Sequence, residues 1–104
     1  MADNIQDLLI SVIRTALKKL ACDELLPKGV FLDSPTDLRF GDLSTNIALQ
    51  LSKTLKKPPR QIAADIVDAL NEELKKNPVQ KYVQDVKIEG AGFINFYLRE
   101  IYFY

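Results

Sequence analysis

The chain has 104 residues, with 14 Lys and Arg against 14 Asp and Glu, no histidine, no tryptophan and one cysteine. That length, with 47% hydrophobic and 27% charged residues, suits one globular domain, residues 1–104, able to bury about two thirds of its unfolded surface. Zero net charge removes global basicity as a sign of a nucleic-acid partner. The lone Cys22 excludes an internal disulfide, and no apolar run approaches the roughly 20 residues of a bilayer span, so a cytoplasmic location without a membrane partner is expected.

In chain order, Ile5, Leu8, Leu9, Val12, Ile13, Ala16, Leu17 and Leu20 recur at steps of three and four. They predict an amphipathic helix capped by Asp3 or Asn4. Pro27-Lys28-Gly29 breaks the pattern. Val30–Asp33 and Leu38–Phe40 are strand candidates around the Ser34-Pro35-Thr36-Asp37 turn. Helical spacing returns through Ile47, Ala48, Leu51 and Leu55, with Asp42 or Ser44 as the cap. Pro58-Pro59 ends this second helix and opens a third. The buried stripe of that third helix is Ile62, Ala63, Ile66, Val67, Leu70 and Leu74, and Asn77-Pro78 stops it. Tyr82–Ile88 reads as another strand, and the Gly90-Ala91-Gly92 turn leads into the last one. The expected fold is α+β: a small, mostly antiparallel four-stranded sheet with three helices on one face.

Much chemistry is absent. Without histidine there is no His general acid or base, no Ser-His-Asp triad and no His-metal site, and one cysteine cannot build a zinc site. Gly90-x-Gly92 lacks the third glycine and following helix of a dinucleotide fingerprint, and no P-loop pattern occurs. Asp65, Asp68, Glu72 and Glu73 fall on the polar side of the third helix, where solvation is the simplest expectation. No catalytic residue and no metal site are expected.

Phe93-Ile94-Asn95-Phe96-Tyr97-Leu98 carries one amide in an apolar run. On a strand, Ile94, Phe96 and Leu98 form a core face, while Phe93, Asn95 and Tyr97 share the other. Burying that amide without partners would cost roughly 1–3 kcal/mol. An open face suited to a flat ligand with hydrogen-bonding edges, such as a nucleobase, avoids the penalty. The bland alternatives are a half-buried sheet aromatic at Phe93 and a backbone-bonded amide at Asn95. Tyr97 either extends the platform or packs against a neighbour. The acid-free cluster Lys53, Lys56, Lys57 and Arg60 is either a solvated face or a phosphate-contacting patch. Asn46 belongs to a capped helix start, or else faces a phosphate or a neighbouring domain.

Three blocks in order, Phe40-Gly41-Asp42-Leu43-Ser44-Thr45-Asn46-Ile47-Ala48, Pro59-Arg60-Gln61-Ile62-Ala63 and Glu89-Gly90-Ala91-Gly92-Phe93-Ile94-Asn95-Phe96, resemble the N-terminal domain of arginyl-tRNA synthetase across essentially the whole chain. The resemblance implies a domain appended to a class I catalytic domain of the same polypeptide, contacting the D-loop corner of tRNA(Arg). It places a stacking ring at Phe93 and an edge-reading amide at Asn95. Tyr97, Asn46, Lys53, Lys56, Lys57 and Arg60 are further candidates for tRNA contact. No DNA partner is implied. ATP and Mg would serve the full-length arginine–tRNA ligase, with no cofactor in this segment. The family's catalytic signatures do not occur, and the apolar tail Ile101-Tyr102-Phe103-Tyr104 suggests a chain that would run on into the catalytic domain. A protein-interaction module and a free-standing tRNA-binding regulatory homologue are the alternative readings.

Overall fold

The computed structural model describes residues 5–25, 32 and 42–99. Its elements are α1 (Ile5–Lys19), β1 (Leu43–Thr45), α2 (Ile47–Leu55), α3 (Pro59–Lys75), β2 (Val83–Glu89) and β3 (Phe93–Leu98), with short 3₁₀ turns at Asp23–Leu25 and Pro78–Tyr82. This is an α+β fold of three helices and a three-stranded antiparallel sheet in the order β1-β3-β2.

The helices arise where the apolar spacing placed them. Leu9, Val12, Ile13, Ala16 and Leu17 of α1 face Ile62, Ala63, Ile66, Leu70 and Leu74 of α3 within one buried cluster. Apolar burial at about 25 cal/mol per Å² is the main stabilising term for such a cluster. An ion pair between Lys19 and Glu73 bridges the two helices at their surface. Glu73 is therefore not simply solvated, as its helical position suggested. The hydrogen bond from Lys19 holds its carboxyl below the usual range, with Lys76 adding to the effect and burial opposing it. α2 and α3 meet the sheet, whereas α1 lies mainly on α3. The three helices thus form a stack rather than an even layer over one sheet face.

Proline sets the α2–α3 junction. Lys56 closes α2 in the left-handed conformation, with its N–H bonded to Ser52 O, and Pro59 occupies the first turn of α3. A first-turn proline sacrifices no intrahelical bond. Beyond α3, Asn77 Oδ1 accepts from Val79 N at 2.9 Å and starts the 3₁₀ turn into β2.

Two expectations change. Among the described residues the sheet has three strands, not four. The candidates Val30–Asp33 and Leu38–Phe40 lie outside the described residues, apart from Leu32, which packs on the core from no regular element. Second, Leu43–Thr45 is a strand, so neither Asp42 nor Ser44 caps α2. Asp42 N instead donates to Phe96 O at 2.9 Å, and Asp42 Oδ2 accepts from Leu98 N at 2.8 Å. The three residues before Asn46 satisfy their backbone by pairing with β3, and the helix begins only when that pairing ends.

Candidate nucleic-acid interface

The β2–β3 turn is docked on the first turn of α3. Gly90 and Gly92 hold φ values of 62° and 141°, which glycine adopts without strain. A Cβ on Gly92 would stand 2.9 Å from Pro59 Cβ and 3.1 Å from its carbonyl carbon, so close approach as well as conformation requires glycine there. Arg60 adds a hydrogen bond of 2.5 Å from its guanidinium to Gly90 O. Turn and helix start are one unit.

β3 is the central strand. Phe96 and Ile94 pair with Leu43 and Thr45 on one side and with Val86 and Ile88 on the other, forming the face under the helices. On the opposite face Asn95 lies between Ser44 and Lys87, Tyr97 is opposite Asp85, and Phe93 is opposite Glu89. A residue flanked on both sides by neighbouring strands is more enclosed than one at the strand's end. The structure follows that rule. Phe93, at the end, is 42% exposed, and among the described residues it is the one large hydrophobic side chain classed as exposed.

Asn95 is only 3% exposed, which corrects the expectation of an open face across all three positions. Its burial is partnered: Oδ1 accepts from Ser44 Oγ at 2.7 Å, and its amide donates to Glu89. Tyr97 is half-buried and its hydroxyl also donates to Glu89. Lys87 Nζ stands 5.1 Å from the centre of the Tyr97 ring. Tyr97 thus buttresses the face instead of widening it.

Glu89 is the hub of this network. Hydrogen bonds from Tyr97 and then Asn95 hold its carboxyl below the usual range; Lys87 helps and burial opposes. The same bond, with burial, pushes the Tyr97 phenol up to about 12. Neither Glu89 nor Ser44 was singled out as a site residue in the sequence. A three-residue loop at Gly90-Ala91-Gly92 gives the missing signal, because it sets Glu89 opposite Phe93.

Lys53 in the last turn of α2, Lys56 and Lys57 at the junction, and Arg60 in the first turn of α3 are all exposed. The contact of Gly92 with Pro59 and the bond from Arg60 to Gly90 bring this junction to the same end of the fold as Phe93. Asn46 is exposed, one step beyond the Thr45–Ile94 pair and so beside the Phe93 end of β3. Its Oδ1 accepts from Gln50 Nε2 at 2.8 Å and caps no backbone N–H. No cluster of three or more His, Cys, Asp or Glu among the described residues could hold a metal ion.

The family model for the arginyl-tRNA synthetase N-terminal domain matches residues 7–98. The chain belongs to this family. The arginine–tRNA ligase of Listeria monocytogenes (serotype 4a, strain HCC23) is 40% identical over 102 residues, covering 98% of this chain and 17% of the relative. That of Chlorobium limicola is 38% identical over 97 residues, covering 93% and 16%. The solved Thermus thermophilus arginyl-tRNA synthetase aligns with a TM-score of 0.62 and 26% identity over 90% of this chain and 14% of that one. The Plasmodium falciparum enzyme shares the fold, with a TM-score of 0.71 at 18% identity over 94% and 16%. This arginyl-tRNA synthetase N-terminal domain therefore spans about one sixth of the length of the curated relatives it matches.

Proposed function

We propose that the domain grips tRNA(Arg) for a cytoplasmic arginine–tRNA ligase, stacking an unpaired D-loop base on Phe93. The observation that carries this reading is one exposed aromatic ring, set at the end of a rigid strand beside a basic helix junction. Unstacked loop bases are the usual targets of sequence-specific RNA readout, and stacking on an aromatic side chain contributes about 1–3 kcal/mol per base. Lys53, Lys56 and Lys57 would meet the phosphates. Arg60 has donors left for the same purpose beyond the one given to Gly90.

Asn95 has a second task in this reading. Its amide offers four hydrogen-bonding positions; Ser44 and Glu89 use two. The remaining N–H and lone pair would meet the base edge only after the groups above them move aside, given the 3% exposure. Aminoacylation itself, with ATP and Mg, would belong to the class I catalytic domain of the complete polypeptide. A protein-docking role is the weaker reading. One ring among charged residues is not the contiguous apolar patch that such partners bury.

Titration of the chain with a tRNA(Arg) transcript, followed by NMR, tests the proposal. Resonances of Phe93, the 89–92 turn and Lys56–Arg60 should shift together, and affinity should fall as salt rises. Shifts confined to the outer faces of α1 and α3 would refute it.

A further inference from the structure

Among the described residues β2 is an edge strand, because the sheet runs β1-β3-β2. Its backbone has donors and acceptors left over on that edge. Phe96 O accepts from Asp42 N, so the backbone groups of Phe96 face β1. Val86 is the β2 partner of Phe96, and in an antiparallel ladder such a pair exchanges no hydrogen bonds. Val86 therefore turns its own N–H and C=O away from β3. That N–H is held at 2.8 Å by the neighbouring Asp85 carboxylate, not by a strand. The helix layer also stops short of this edge. Ile94 and Phe96 are fully buried, whereas their partners Ile88 and Val86 are half-buried on the same helix-facing side.

We propose that this edge is the docking surface for a second copy of the chain, with β2 pairing antiparallel to β2 about a two-fold axis through Val86. In that register the strand is complementary in charge to itself. Val86 meets its counterpart and exchanges the two outward N–H···O bonds. Asp85 meets Lys87 on both sides of the axis, and Ile88 meets Gln84. Asp85 and Lys87 are both exposed on the face away from the helices. They would form non-hydrogen-bonded pairs, the positions where facing side chains come closest. Such a contact is isologous, so it closes at two copies and does not grow into a fibre.

The edge also carries guards that make it selective. A bulge between Val83 and Asp85, and the carboxylate over Val86 N–H, oppose indiscriminate strand addition. An arriving strand must draw Asp85 away from Val86, which a lysine at the position of Lys87 does. Within one chain Lys87 stands 4.0 Å from Asp85, with both side chains exposed, so little is lost by the exchange. Addition in the plane of the sheet leaves Phe93 uncovered. Dimerisation and the proposed RNA contact are therefore separate properties.

Sedimentation equilibrium of the chain over a range of concentrations tests the inference. The wild type should form a reversible dimer. Asp85→Lys and Lys87→Asp should each weaken it by at least about fivefold, because facing opposite charges become like charges. The double variant carrying both reversals should regain the wild-type affinity, since self-complementarity returns. Val86→Pro removes the outward N–H without touching the β2–β3 ladder, and proline is tolerated on edge strands; it should be monomeric with native circular dichroism. A wild type that stays monomeric at millimolar concentration would overturn the inference. So would a dimer indifferent to both single reversals, which would place the contact on another surface. Val86 and Ile88 amides protected from hydrogen exchange equally at every dilution would show that the chain covers its own edge, and would overturn it too.

Discussion

Gly92 packs directly on Pro59: a Cβ at Gly92 would lie 2.9 Å from the proline Cβ. This contact joins the loop that carries Phe93 to the helix start that carries the basic residues. Gly92→Ala should therefore act on both. At a φ of 141° the alanine is strained, and it must also push the first turn of α3 away. A loss of at least about 2 kcal/mol is expected from strain and overpacking together. Urea denaturation measures it, and the wild-type midpoint in Gly92→Ala would mean that the turn is free to move.

Leu9 is fully buried between helices. Leu9→Ala should destabilise the fold by about 2–5 kcal/mol through lost transfer energy and a residual cavity. A thermal melt unchanged from wild type would remove α1 from the core.

Thr45 behaves in the opposite way. It is 2% exposed on the helix-facing side of β1, and among the described residues its hydroxyl has no hydrogen-bond partner. Thr45→Val keeps the shape and removes an unsatisfied polar group, so stability should rise by about 1 kcal/mol. A lower denaturation midpoint would show that the hydroxyl has a partner after all.

How much of this was legible in the residues varied with the kind of signal. The stripes of α1, α2 and α3 and the proline junction follow from local spacing, and the structure repeats them. β1 did not follow, because Leu43-Ser44-Thr45 joins smoothly onto a helical pattern and becomes a strand only by pairing with β3, some fifty residues later. The exposure of Phe93 and the burial of Asn95 separate for the same reason. Alternation placed them on one face, but the identity of the flanking strands decides which one is covered, and that is a long-range fact. Ser44 and Glu89, the partners that make Asn95 tolerable inside, come from two different strands.

Asn95→Ala should accordingly affect the fold as well as RNA. It leaves Ser44 and Glu89 each short of a partner, and about 1–3 kcal/mol of stability should be lost. Equilibrium unfolding at neutral pH checks this. A variant as stable as wild type would place the amide outside the network.

The Glu89–Tyr97 bond gives a pH signature with two ends. The folded Tyr97 phenol is raised to about 12, so its contribution is complete below the ordinary phenol range and is lost as pH rises through about 12. The folded Glu89 carboxyl is lowered, so its contribution is present above the ordinary carboxylate range and is lost as pH falls through the lowered value. The bond is thus intact across the neutral range. An ultraviolet titration of phenolate should show a step near 12 that is missing from Tyr97→Phe, and the stability gap between wild type and Glu89→Gln should close in acid. A gap that stays constant into acid would contradict the assignment.

The most direct measurement is the affinity of the chain for tRNA(Arg) with Phe93 replaced by alanine and by tyrosine. Loss of a stacked base predicts that Phe93→Ala weakens binding by about 1–3 kcal/mol, roughly five- to 150-fold, while Phe93→Tyr keeps the ring and most of the affinity. Equal affinity in wild type and Phe93→Ala, with the fold intact, would contradict the account.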